Sequence, residues 1–352
     1  MKIAFVTPTL AQGGYEKVVV AYANELCSRG NQVDILCGFR TGELLASVDP
    51  GITVYDFQAR ARGFLQPLTR YLKKSRPDIL YCGFREYNFL GVLAKRLARV
   101  KTCVYASQHG FQKTRPFMEK LLGRVIRHAD RLLAVADSVA DYEAEALGID
   151  RKRFLIANNP VFDGREAITL EPHPWFTEEN HLPILVTCGR LAQGKGLHYA
   201  LEIIRELNTI LPARLLVLGD GPLKDELKSL SQSLGIEAFV DFPGFVSNPA
   251  GYMAQCDLLL HTALAEGFGN VVVEAMRAGI TPCVTNCSGP MQIIENGKYG
   301  IDLGSAKDKD FVPRAAKTIA DLLRRGVQFE GLEKRAAEFD VRSSTDQFLS
   351  FK

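Results

Sequence analysis

The 352-residue sequence holds no run of ~20 apolar residues, so no segment reads as a membrane-spanning helix. None of its eight cysteines forms a Cys-x-x-Cys pair, and no histidine stands close in sequence to Cys283 or Cys287, which argues against zinc. Cys27, Cys37, Cys82, Cys103, Cys188 and Cys256 lie in or beside apolar runs, and this predicts buried, reduced thiols of a cytosolic protein. The opening MKIAFVTPTL has one lysine and a short apolar run before its glycines; it reads as a first strand, not a secretion signal. Acidic residues are scarce in one stretch. Between Arg60 and Arg131 there are seventeen Lys and Arg against four Asp and Glu, although the formal net charge of the chain is only +3. Beyond residue 150 the balance is slightly acidic, so the N-terminal half is the part able to face an anionic partner.

What is present is a globular composition, 47% hydrophobic and 24% charged, at a length suited to two domains. Short runs rich in Val, Ile and Leu (KIAFVTP, QVDILCG, PDILYCG, TCVYASQ, RLLAVAD) alternate with helical segments such as YEKVVVAYANELCSRG and NFLGVLAKRLARV. The pattern restarts after residue 180 with PILVTCG, LHYALEIIRELNTI, ARLLVLGDG, PLKDELKSLSQSLG, FVDFPGF, DLLLHTA, TPCVTNC and QIIENG. Such alternation predicts an α/β protein whose parallel sheets are covered on both faces. The polar, proline-bearing stretch FDGREAITLEPHPWFTEENHLP reads as a linker. The expected organisation is a doubly wound Rossmann-like domain over residues 1–165, a linker over 166–182, a second such domain over 183–330, and a charged helix and tail over 331–352. Ligands of these sheets bind at the carboxyl ends of the strands, which places the expected site in a cleft between two facing domains.

Three segments carry chemistry. In AEGFGNVVVEAMRAG, residues 265–279, two glycines argue against one continuous helix, each weakening a helix interior by roughly 1 kcal/mol. A strand ending near Thr262, a glycine turn and a helix capped by Asn270 fit better, with Glu266 on the loop and Glu274 in the first helical turns. Gly13 and Gly14 precede a helix and offer backbone amides to an anion, or simply make a tight turn. Gly189 to Lys195 matches the phosphate loop of nucleoside triphosphatases, with Asp220 available as its distal carboxylate, but Gly196 stands where that motif requires Ser or Thr for magnesium. What remains is Arg190 and Lys195 at a strand end, suited to clamp a diphosphate.

GRLAQGKG, LGDGPLKDEL, FPGFVSN, EGFGNVVVEAMRAG and SGPMQIIENGKYG together resemble the C-terminal domain of retaining glycosyltransferases of family 4, with the GT-B fold, and TPTLAQGGYEKVVVAYANEL resembles that family's opening loop and helix. The resemblance covers nearly the whole chain. It implies a nucleotide-diphosphate sugar as co-substrate, with Glu274 on the ribose hydroxyls, Glu266 on the donor sugar, and Arg190 and Lys195 on the diphosphate and its growing charge. The amides of Gly269, Asn270 and Val271 would add to that, and Gly13, Gly14, Phe245, Gly267 and Phe268 complete the implied donor-binding set. His109, after TCVYASQ, is implied to lie beside donor sugar and acceptor; on its own it would read as structural. Retention by front-face attack on an oxocarbenium-like centre is implied as well.

The one Asp-x-Asp match, Asp308-Lys309-Asp310, lies in a polar turn and reads as capping or solvation, so no obligatory metal is expected. Two basic segments carry apolar stripes: Phe64, Leu65, Leu68 and Leu72 with Arg70, Lys73, Lys74 and Arg76; and Phe117, Met118, Leu121, Leu122 and Val125 with Lys113, Arg115, Lys120, Arg124 and Arg127. Either each stripe packs on its own sheet, or it dips into an anionic bilayer. Membrane contact is the expectation; nucleic acid is not, for want of interleaved aromatics or a reading motif. The combined reading is a cytoplasmic enzyme, peripheral on the inner face of the membrane, that moves a hexose or N-acetylhexosamine to a lipid-linked or glycan acceptor in cell-surface polysaccharide assembly. The alternatives are a sugar-nucleotide epimerase and a non-catalytic sugar-nucleotide-binding protein.

Overall fold

The computed structural model describes residues 1–11, 13–111, 115–177, 182–326 and 329–352. The chain divides into two compact units, Met1–Asp163 together with Phe339–Lys352, and Gly164–Glu338.

In the first unit β1 (Lys2–Thr7), β2 (Gln32–Cys37), β3 (Thr53–Asp56), β4 (Ile79–Gly83), β5 (Cys103–Gln108), β6 (Arg131–Ala134) and β7 (Phe154–Ile156) form one sheet in the order β3-β2-β1-β4-β5-β6-β7. Every pairing is parallel. The crossovers are α1 (Gly14–Ser28), α2 (Leu65–Ser75), α3 (Arg85–Ala98), α4 (Pro116–Ile126) and α5 (Asp137–Leu147). Ile3, Ala4, Phe5 and Val6 are all fully buried, as a strand covered on both faces requires.

The second unit repeats the design. There β8 (Ile184–Cys188), β9 (Arg214–Leu218), β10 (Val240–Gly244), β11 (Leu258–His261), β12 (Thr281–Val284) and β13 (Ile301–Asp302) lie in the order β10-β9-β8-β11-β12-β13, again all parallel. Its helices are α6 (Leu197–Asn208), α7 (Lys224–Ser233), α8 (Pro249–Met253), α9 (Asn270–Arg277), α10 (Ser288–Ile293), α11 (Phe311–Arg325) and α12 (Leu332–Ala336). No disulfide joins any of the eight cysteines. Strand order reverses between β1 and β4 in one sheet and between β8 and β11 in the other, and these switch points open a crevice at the carboxyl ends of the strands.

Two expected boundaries move. Much of the segment read as a linker packs on the second unit: Asn248 donates to the Thr169 carbonyl at 2.8 Å, His173 meets Asp241 at 2.9 Å, and the Arg214 guanidinium lies 4.9 Å from the Trp175 ring centre. Residues 178–181 of that segment lie outside the described residues. The tail is likewise no separate piece. A last helix, α13 (Val341–Ser350), belongs to the first unit, where Phe348 is fully buried among Phe5, Tyr22, Tyr81 and Tyr105. The Gln347 side chain donates to the carbonyl of Ile156, 191 positions earlier, and accepts from the Asn158 amide. The charges of this segment suggest solvent, but its inward aromatics, Phe348 foremost, decide where it packs.

Candidate functional site

The loop leaving β8 is shaped by its last glycine. Gly196 has φ +61°, and a Cβ there would lie 2.0 Å from the carbonyl oxygen of Thr262. Neither Ser nor Thr fits, so the magnesium hydroxyl of a phosphate loop has no place. Asp220 does not serve such a site either: its exposed carboxylate accepts from the Gly221 amide at 2.7 Å and from Lys224 at 2.9 Å. The triphosphatase reading therefore ends on geometry. The close approach ties the two switch-point loops together, with the Leu264 amide donating to the Gly194 carbonyl at 2.8 Å and the Thr262 hydroxyl to that of Lys195 at 3.3 Å.

This seam brings together the predicted cation and carboxylate. Lys195 Nζ donates to Glu266 Oε2 in a short ion pair, although the two residues come from different strand ends. His261 Nε2 lies 3.8 Å from that same oxygen, too far for a hydrogen bond. Burial by itself raises the Glu266 carboxyl, but His261 and the Lys195 ammonium outweigh it and hold the group down at about 2. Arg190, Lys195, Cys188, His261 and Thr262 line one pocket. Arg190 is exposed at its mouth and makes no ion pair among the described residues. The arrangement offers two cations to an anion and, at neutral pH, an ionised carboxylate to hydroxyl donors.

Beyond Glu266 the helix α9 starts one residue earlier than expected. Gly269 is its N-cap, in the left-handed region at φ +103°, and Asn270 is the first helical residue. A side chain at 269 would press on the Pro290 ring at 3.1 Å, and one at Gly289 would lie 2.4 Å from the Phe268 carbonyl oxygen. The Ser-Gly-Pro segment at the start of α10 thus braces the Gly267–Gly269 turn from behind, a role that spacing alone did not reveal. Phe268, Gly267 and Gly269 are buried, and Asn270, Val271 and Glu274 are half-buried on α9. Phe245 follows the edge strand β10, is 57% exposed and does not line the pocket. Asp308 and Asp310 both pair with Arg314, at 2.8 and 2.9 Å.

In the first unit His109 follows β5 as expected. Its Nε2 lies 2.8 Å from the Tyr81 hydroxyl and 3.0 Å from that of Ser107, and the Tyr15 ring packs edge-on at 4.9 Å. Burial lowers the imidazole to about 4, with Asn159 acting in the opposite direction, so His109 is neutral at pH 7. At the switch point between β1 and β4, the Tyr15 ring covers Gly83, where a Cβ would meet it at 2.2 Å, and Phe84 is held at φ +64° against the same ring. Gly13 caps α1, but the Glu16 carboxylate lies 2.0 Å from where a Gly13 Cβ would be. The proposed anion seat at Gly13 and Gly14 thus has an acid beside it. Burial raises the Glu16 carboxyl and its own backbone amide draws it back.

The two basic helices part company. In α2 the apolar stripe packs inward, with Phe64, Leu68 and Leu72 fully buried, so the expected membrane contact of that segment is withdrawn. In α4 Phe117, Met118 and Leu121 are 77%, 43% and 41% exposed beside exposed Arg115, Lys120, Arg124 and Arg127. Lys113 lies outside the described residues. The inward stripe of α4 is Glu119, Leu122, Gly123 and Ile126; Glu119 accepts from the fully buried Arg85 at 2.7 Å, which in turn grips Glu143 at 2.8 and 2.9 Å.

Sequence comparison matches residues 173–336 to the family described as glycosyl transferases group 1, and residues 12–163 to glycosyltransferase family 4. The chain is 26% identical to the lipopolysaccharide core biosynthesis glycosyltransferase LpsE of Rhizobium meliloti over 63% of its own length, and spans only 64% of that protein. It is 24% identical, over 99% of its length and 97% of the relative, to the Campylobacter jejuni GalNAc-alpha-(1->4)-GalNAc-alpha-(1->3)-diNAcBac-PP-undecaprenol alpha-1,4-N-acetyl-D-galactosaminyltransferase. Among solved structures, Anabaena HepE in complex with UDP and glucose superposes with a TM-score of 0.80 at 20% identity, covering 99% of this chain and 98% of that one. No helix among the described residues is long and apolar enough to cross a membrane. With both halves matched and the same pair of parallel-sheet units, the chain belongs to the family 4 glycosyltransferases of the GT-B fold.

Proposed function

We propose that this chain transfers a hexose or N-acetylhexosamine, with retention, from a nucleotide-diphosphate sugar to a lipid-linked or glycan acceptor in cell-surface glycan assembly. The observation that carries the reading is the meeting of Lys195 and Glu266 across the switch point of the second unit, with Arg190 on the same pocket. In this reading Lys195 and Arg190 take the diphosphate and balance the charge that grows on it as the bond from the anomeric carbon to the phosphate oxygen breaks. Glu266 accepts from sugar hydroxyls and Glu274 from the ribose, while the amides opening α9 add dipole support. His109, neutral, positions the reacting groups from the first unit. The cations do the work a metal does elsewhere, so transfer is metal-independent.

Relatives named for lipopolysaccharide core synthesis and for an undecaprenol-linked substrate support a glycan or lipid-linked acceptor. The outward apolar face of α4, ringed by cations, supports a peripheral position on an anionic, cytoplasm-facing membrane surface. The test is radiolabelled sugar transfer from UDP- and GDP-sugars into membrane extract, with and without chelator. Transfer that survives chelation is expected. Donor epimerisation without an acceptor, or loss of all transfer on chelation, would overturn the reading. A thermal-shift panel of nucleoside diphosphates then identifies the base.

A further inference from the structure

His261 closes β11 and had no role in the sequence. Its side chain is 6% exposed, and among the described residues neither ring nitrogen has a hydrogen-bond partner, although both are buried. A buried donor left without a partner is costly, and such groups call for an explanation. The backbone of His261 pairs with β12 and accepts from the Thr285 amide at 2.9 Å, so the sheet holds the residue in place. Its neighbours on the pocket wall are Thr187 and Cys188 from β8, Lys195 from the next loop, and Thr262. None of them meets a ring nitrogen.

The missing partner stands just out of reach. His261 Nε2 is 3.8 Å from Glu266 Oε2, and that oxygen is the one Lys195 holds. Lys195 and His261 thus face one carboxylate oxygen, and Lys195 holds it. An anion in the pocket offers Lys195 a stronger partner and would strip Glu266, whose side chain is only 20% exposed, of its counter-charge. A buried carboxylate cannot be left bare cheaply. A movement of roughly 1 Å brings Oε2 within hydrogen-bond range of Nε2.

We propose that His261 is a positioning residue for Glu266: when a diphosphate draws Lys195 away, Glu266 Oε2 closes onto Nε2–H of His261, which then holds the carboxylate where a sugar hydroxyl meets it. The inference rests on the diphosphate reading of the pocket. It makes the site a relay of partners: the anion takes the lysine, the lysine releases the acid, and the histidine catches it.

The experiment uses the whole chain and inorganic pyrophosphate, with imidazole ¹⁵N resonances assigned by their loss in His261→Gln. On saturation, the Nε2 resonance of His261 should move to a hydrogen-bonded position. His261→Leu should bind pyrophosphate roughly tenfold more weakly, while His261→Gln, which keeps an N–H near the same place, stays within about threefold of wild type. In a Glu266→Gln background the His261→Leu loss should vanish. Unmoved Nε2 in a saturated wild type overturns the inference, as does a natively melting His261→Leu of wild-type affinity. Pyrophosphate that fails to bind the wild type removes the diphosphate reading itself, a result separable from the other two.

Discussion

At the point where strand order reverses, the second unit sets an ammonium against a carboxylate, while the first sets ring against ring. Lys195 and Glu266 meet across β8 and β11, and the carboxyl is held at about 2. Across β1 and β4 stand Tyr15, Tyr81 and Phe84, with a histidine that burial keeps neutral. One layout thus serves two chemistries. The sheet decides where side chains gather, and the loop residues decide whether the gathering place is ionic or neutral. A doubly charged leaving group suits the first kind of crevice, and a neutral hydroxyl the second.

The contrast is broken most sharply at Glu266. Glu266→Gln keeps the shape but loses the charge, and turnover should fall by about 10²–10³. Steady-state rates near wild type would remove Glu266 from the chemistry. Lys195→Ala should weaken nucleoside-diphosphate binding roughly ten- to a hundredfold by calorimetry; unchanged affinity would refute the ionic assignment. His109→Phe should leave that affinity alone and cut turnover by about tenfold or more, since it sits in the neutral crevice. If it instead weakens nucleotide binding, the division of labour fails.

Acid titration separates the two crevices again. The unfolded chain binds a proton at His109 below its ordinary value of 6.5, but the native ring does so only near 4, so stability is lost as pH falls through that window. For Glu266 the corresponding loss runs from 4.5 down to about 2. Each slope is at most about 1.4 kcal/mol per pH unit. Melting curves of His109→Phe and Glu266→Gln, each subtracted from wild type, should differ in the upper and lower window respectively. A smaller effect tests the paired basic helices. Phe117, Met118 and Leu121 changed together to Ser should release the protein from anionic vesicles, whereas Arg70, Lys73 and Lys74 changed to Glu should only weaken binding. Equal loss from both sets would mean that charge alone, not the apolar face of α4, makes the contact.

The alternation of buried strands and helices was legible because a strand covered on both faces must be apolar throughout, as LLLH and ILVTC are. The pieces missed in the sequence, β3, β7 and β13, are short or lie at sheet edges, where TVYD, FLI and ID have little apolar length to display. Lys195 and Glu266 were legible as residue types at strand ends; that they touch was not, since contact follows from the strand order. His261 passed as core because a single apolar-flanked histidine carries no spacing signal. The α2 and α4 stripes looked alike because periodicity gives a stripe but not its direction. The direction of α4 depends on Arg85, a charge buried thirty-four positions before Glu119.

Phe348 fills a hole among rings laid down at the very start of the chain, at Phe5 and Tyr22. During synthesis the first unit must therefore wait, with an aromatic socket open, until the intervening second unit has been made. Its final closure is an act of the whole molecule, and a fusion or deletion at residues 341–350 should be felt in the half of the protein that was made first.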